Sequence, residues 1–213
     1  MSRPSLSSST FSASNSDNIS TLLDPRYPFK NIESSLSRDL GRIRIDEHYS
    51  DTTISVKGKN YAVHKVILAA RSSVFHAMFK SRMQESKENH IIITDIDSDI
   101  FEEMLHYIYT GKANNLKVLA YELFSVADKY DLKHLKTICE QALIRNLSVD
   151  NAGKILTLAD MHNAEILKVH TIQFIKRNAA NGNCKDFRNT DLWKILSTSG
   201  PDLMRDMLAA FFE

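Results

Sequence analysis

A chain of 213 residues, 43% hydrophobic and 25% charged, is long enough to bury one large core or two small ones. Its 27 Lys and Arg stand against 26 Asp and Glu, and the formal net charge of +1 excludes the broad basic surface expected of a nucleic-acid binder. Two cysteines, Cys139 and Cys184, are too few for a disulfide framework or a four-cysteine zinc site. No apolar run approaches the ~18 residues of a membrane span, and the N-terminus has no hydrophobic signal core. The expectation is a soluble, intracellular protein.

Residues 1–20 hold nine serines and few large apolar groups. Such a segment cannot bury enough surface to offset the entropy of ordering, and it reads as a disordered tail. Pro25 and Pro28 extend this lead-in to about residue 30. From Asn31 onward, Ile32, Leu36, Leu40 and Ile43 recur four, four and three apart, the spacing of one helical face. A strand over Thr52–Val56, a Lys57-Gly58-Lys59 turn and a strand over Asn60–Val63 predict a hairpin. His64-Lys65 then leads into an apolar helix over Val66–Ala70 and a second helical run, Val74–Phe79. A third strand follows at Ile91–Thr94.

Asp97 or Ser98 is placed to cap the next helix. Glu102 and Glu103 lie in its first turn against the positive end of the helix dipole. Phe101, Met104, Leu105 and Ile108 form its apolar stripe, and Gly111 stands just beyond its end. Two further stripes follow, Leu119, Leu123, Val126 and Ala127, then Leu135, Ile138, Cys139, Ala142 and Leu143. Cys139 is therefore expected as a small buried thiol. Short strands with antiparallel helices make this an α+β domain. Beyond Asn146 the pattern is purely helical. Ser148 is placed to cap a helix carrying Ala152, Ile155, Leu156 and Ala159, and the next carries Leu167, Thr171, Phe174 and Ile175. After an Asn181-Gly182-Asn183 break comes an element with Leu192, Trp193, Ile195 and Leu196. Gly200-Pro201 breaks again before an amphipathic helix of Leu203, Met204, Met207, Leu208 and Phe211.

Nothing in the sequence reads as an active site. His64, His76, His106, His134, His162 and His170 lack metal-ligand spacing. His76 and His106 are expected as hydrogen-bonded structural residues, and His64 as the residue that orders its strand-to-helix junction. Asp160, His162 and Cys184 contain the residue types of a thiol protease, but no motif surrounds Cys184. Six scattered glycines form no phosphate loop. No enzyme activity, cofactor or metal is expected.

Several motifs occur together and in register: His64-Lys65, Leu68-Ala69-Ala70-Arg71-Ser72, Val74-Phe75, Met78-Phe79, Phe101, Tyr107-Ile108-Tyr109-Thr110-Gly111 and Ala127-Asp128-Lys129-Tyr130. They resemble the BTB/POZ domain, most closely that of the speckle-type POZ protein group. The helices that start at Asn146-Leu147-Ser148-Val149 and include Leu158-Ala159-Asp160 resemble the BACK-type helices that follow it. The resemblance implies a tail over 1–30, a BTB/POZ domain over 31–146 and a BACK-like helical domain over 147–213. It departs from the group in one respect, since a substrate-capturing MATH domain usually precedes the BTB domain and here only about 30 serine-rich residues do.

The resemblance implies an adaptor that holds a cullin-3 ubiquitin ligase near a client and does no chemistry itself. Leu36, Leu40, Ile43 and Ile67 match positions that pack against a second subunit, in a homodimer or with a related BTB protein. The competing reading folds the first helix back onto its own domain. Met83-Gln84-Glu85 fits the hydrophobic-x-Glu pattern presented to cullin-3, with Met83 as apolar knob and Glu85 as charge at its rim; Tyr130 matches a position near that surface. Trp193 and Leu208 fall where relatives form a second self-association surface, or where they complete a helical core. Leu6, Ser8, Ser9 and Thr10 fit the serine-rich signal that MATH domains bind. The rival function is a BTB scaffold outside ubiquitin transfer, such as a transcription-associated interaction module. No nucleic-acid or membrane partner is expected.

Overall fold

The Lys57-Gly58 pair turns the chain back on itself. Both residues have positive φ, 47° and 85°, the two-residue geometry whose twist matches that of the flanking strands. In the computed structural model, which describes residues 30–80 and 89–179 with Leu203, Arg205, Met207 and Ala209, this turn joins β1 (Thr52–Val56) to β2 (Lys59–Val63). They pair antiparallel, from Thr52 opposite Val63 to Val56 opposite Lys59. The strand β3 (His90–Ile93) lies on the other side of β1 and runs parallel to it, giving the order β2-β1-β3. Ile54, Val56, Tyr61, Val63, Ile91 and Ile93 all point into the core, as a period of two requires.

Eight α-helices are described: α1 (Lys30–Ile45), α2 (Lys65–Arg71), α3 (Ser73–Lys80), α4 (Ser98–Thr110), α5 (Leu116–Lys129), α6 (Lys133–Arg145), α7 (Ala152–Met161) and α8 (Glu165–Asn178). Among the described residues, none is long and apolar enough to cross a membrane. The helix α4 is the centre of the fold. Phe101, Met104, Leu105 and Ile108 are buried as their spacing predicts, and Ile100, Tyr107 and Tyr109 are buried on its other sides. Gly111 ends it in the left-handed conformation (φ 71°), its N–H donating to the Tyr107 carbonyl at 2.7 Å.

Of the expected caps, Asp97 holds its position at the start of α4 without a side-chain capping bond, and Ser148 gives way to Asn151. Asp97 is extended at the start of α4, but its carboxylate pairs with Lys57, and Ser98 Oγ donates to the Val56 carbonyl at 3.3 Å. Both side chains thus tie the helix to the hairpin. Glu103 is buried and accepts from the Asn114 N–H and from Asn115 Nδ2 at 3.3 Å. Asn151, not Ser148, organises the entry to α7: its Oδ1 accepts from the Ser148 N–H at 2.8 Å and its Nδ2 donates to the Asn146 carbonyl at 2.8 Å. Ser72, between α2 and α3, accepts from the Phe75 N–H at 3.2 Å and so caps α3.

The helices after Asn146 contribute to two cores. On α7 and α8, Ile155, Leu158, Ala159 and Leu167 join the main core. Ala152, Leu156, Ile172 and Ile175 form a smaller cluster with Leu203 and Met207. Leu203 and Met207 are buried while Arg205 and Ala209 are exposed; Met204, Leu208 and Phe211 of the expected stripe lie outside the described residues. Cys139 is a free, fully buried thiol, and burial pushes its pKa up to about 12.

Candidate interaction surfaces

Positions 37, 41 and 44 form one stripe of α1, and positions 36, 40 and 43 form the stripe beside it, about 100° round the axis. The first stripe holds the helix to its own domain. Ser37 Oγ donates to the Thr110 carbonyl at 2.7 Å. Gly41 lies so close to α4 that an added Cβ would stand 3.2 Å from Thr110 Cγ2. Arg44 reaches Glu102 Oε1 at 3.4 Å and His106 Nδ1 at 3.5 Å. Lys59 Nζ holds the other Glu102 oxygen at 2.7 Å. The Lys59 hydrogen bond outweighs burial and, with Arg44, keeps Glu102 below the ordinary carboxyl range.

The second stripe is left to solvent. Leu36 is 62% exposed, and Leu40 and Ile43 are half-buried. Ile45 is 82% exposed, and Tyr49 and Val66 are also exposed. Ile67, next to Val66, is half-buried and rests on the main core. The first helix thus does fold onto its domain, but through small and polar residues, and among the described residues its apolar stripe stays partly exposed.

Met83 and Glu85 lie outside the described residues, between α3 and β3. Tyr130 is a core residue. It is 1% exposed, its ring lies 4.7 Å from that of Phe75, and burial pushes its phenol up to about 12. Its carbonyl accepts from Ser72 Oγ at 2.7 Å. The residue that the resemblance puts near a docking surface therefore supports that surface from beneath, by fixing the α5–α6 turn to the α2–α3 junction. The exposed groups around it are His76, Lys129, Asp131 and Lys133. Trp193, Leu208 and the tail residues Leu6, Ser8, Ser9 and Thr10 also lie outside the described residues.

The histidines have separate structural positions. His64 is buried; its N–H donates to Tyr109 Oη at 3.1 Å and its Nδ1 lies 2.8 Å from that oxygen. It orders its junction as expected. His106 is half-buried against Arg44 and Asn114, and burial lowers its pKa. His76 is exposed, against expectation. His162 lies at the α7–α8 turn with Nδ1 2.7 Å from Asp128 Oδ2, while Lys136 Nζ meets Asp128 Oδ1 at 2.6 Å and donates to the His162 carbonyl at 3.1 Å. Asp160 is bound instead by Lys168 at 2.8 Å. Among the described residues, no group of three or more His, Cys, Asp or Glu can hold a metal ion.

The Asp128 cluster has a consequence for stability. Burial alone would raise the Asp128 pKa, but hydrogen bonds from Lys136 and His162 outweigh it and leave it below 3.8. A lowered folded pKa adds stability above the unfolded pKa, and that stability is lost as pH falls through the folded value. At 37% exposure, solvent screening limits the effect to about 1 kcal/mol. Asp128→Asn is expected to lower the melting temperature by about 2–4 °C at pH 7. The gap from the wild type should close below about pH 4 in a series of thermal melts; a constant gap would separate Asp128 from the effect.

A partly exposed apolar helix stripe on a small α+β domain is the kind of surface that a protein-interaction module presents. A model of the BTB/POZ domain family matches residues 40–147, half of the chain, and the protein belongs to that family. Among solved structures it is similar to the BTB domain of zebrafish PATZ1, at 21% identity over 56% of this chain and 98% of that one, with a TM-score of 0.48. BTB domains are interaction adaptors or scaffolds that typically dimerise and bind partner proteins. The match ends at the entry to the helices of residues 147–213.

Proposed function

We propose that this protein is a dimeric adaptor of a cullin-3 ubiquitin ligase, of the speckle-type POZ group, with BACK-type helices over 147–213. The observation that carries the dimer is the uncovered Leu36–Leu40–Ile43 stripe, because a helix already fixed to its domain on one side gains by covering its apolar side with the same side of a second copy. The partner copy is identical or a related BTB chain, and a MATH-bearing relative would supply the client-binding domain. Two copies multiply weak contacts to ligase and client by raising their effective concentration.

The cullin contact rests on Met83-Gln84-Glu85, which combines a flexible apolar residue with a carboxylate that gives direction. The fold supports this reading by fixing the α5–α6 turn through Ser72 and Tyr130. Met161 and Ile166, both exposed, lie near His162 in the chain, and His162 meets Asp128 at the same end of α5. Met83→Ala with Glu85→Arg is expected to abolish capture by an immobilised cullin-3 N-terminal domain, with the mass of the dimer unchanged. Undiminished capture would remove this contact. Failure of the wild type to bind would leave the rival reading, a BTB scaffold outside ubiquitin transfer.

A further inference from the structure

A cleft of about 180 Å³ opens where the first turns of α5 and α7 meet the last turn of α6. Leu143 and Ile155, both buried, line its depth, while Val118 (77% exposed) and Tyr121 stand at its rim. Lys117 and Lys154 flank these apolar residues from the two sides, one on α5 and one on α7. Neither lysine has a carboxylate partner among the described residues. The nearest acidic residues along the chain, Glu122 and Asp150, are exposed and do not line the cleft. The site thus offers room for one large apolar side chain between two unneutralised cations. Val118 and Tyr121, three apart on α5, present apolar surface to water where a solvated helix would carry polar groups.

We infer that this cleft is a docking site for an acidic peptide segment of a partner protein, which anchors one large apolar side chain among Val118, Tyr121, Leu143 and Ile155 and sets flanking carboxylates against Lys117 and Lys154. The apolar anchor supplies the burial that fixes the complex, and the paired charges set its orientation and exclude basic segments. The site is distinct from the cullin and dimer surfaces. It lies at the start of α5, whose 14 residues set it about 20 Å from the turn at Tyr130.

The test selects a phage-displayed library of random dodecapeptides on the full chain, then measures an enriched peptide by fluorescence anisotropy. Enriched sequences are expected to place one Leu, Ile, Phe or Trp among Asp and Glu. Lys117→Glu with Lys154→Glu should weaken binding at least about tenfold, and Val118→Asp should do the same. Both lysines are exposed, so the fold should tolerate their reversal; should melting shift, Lys117→Gln with Lys154→Gln carries the same expected direction. Enriched peptides without carboxylates, no enrichment at all, as when the chain's own residues fill the cleft, or equal binding to the charge-reversed chain would each overturn the assignment. Dimer mass and cullin-3 capture of the same variants should not change, which separates this result from the adaptor reading.

Discussion

Replacing Leu36 and Leu40 together with aspartate is expected to halve the mass of the particle in light scattering and leave a folded subunit. In a two-fold symmetric interface each substitution is felt twice, so four apolar side chains are lost from the seam. At roughly 1.5–3 kcal/mol for Leu36 and about half that for the half-buried Leu40, the loss is about 4.5–9 kcal/mol before the cost of burying carboxylates is added. A micromolar to nanomolar dimer is held by only about 8–12 kcal/mol, so no association should survive at micromolar concentration. The subunit itself should keep its fold, because Leu36 is 62% exposed and α1 is held to α4 by Ser37, Gly41 and Arg44 on the neighbouring stripe. Far-ultraviolet circular dichroism and a melting temperature near that of the wild type check this second half. A mass that does not fall would mean that the two leucines are not in the seam.

The pattern of what the sequence predicts and what it misses has a physical basis. The hairpin at Gly58, the end of α4 at Gly111 and the buried stripe from Phe101 to Ile108 depend on contacts within a few residues, so spacing and turn chemistry reveal them. The parallel pairing of β3 with β1 joins residues about forty positions apart and leaves no local mark. The residues through which α1 meets α4 are missed for a different reason. Apolar periodicity finds Leu36, Leu40 and Ile43, but the helix binds its domain through a serine, a glycine and an arginine, whose roles become visible only beside Thr110 and Glu102. Side-chain capping bonds escape the sequence where a more distant partner competes. Asp97 has Lys57 within reach, and Asn151 bridges two backbone groups that Ser148 leaves open. The interaction surfaces are legible only as residue types. Whether an apolar residue is core or surface is a three-dimensional fact, and Tyr130 shows how a position assigned to a surface can belong to the core beneath it.

Tyr130→Ala is expected to cost about 3–5 kcal/mol, the range for removing a large buried aromatic ring. For a chain of this size that corresponds to a fall in melting temperature of about 10 °C or more. The loss arises where the ring packs on Phe75, while the backbone carbonyl that holds Ser72 is kept. Removing the ring leaves a cavity under both the α5–α6 turn and the start of α3. Tyr130→Phe keeps the ring and removes only the hydroxyl, so stability should fall by less than about 1.5 kcal/mol and cullin-3 capture should match that of the wild type. The two variants distinguish support from contact. A residue that acts by packing loses capture only in proportion to lost folding, and Tyr130→Ala should recover capture when measured well below its melting temperature. Loss of capture in Tyr130→Phe at an unchanged melting temperature would instead mean that the hydroxyl meets the partner directly, and that the α5–α6 turn opens on binding.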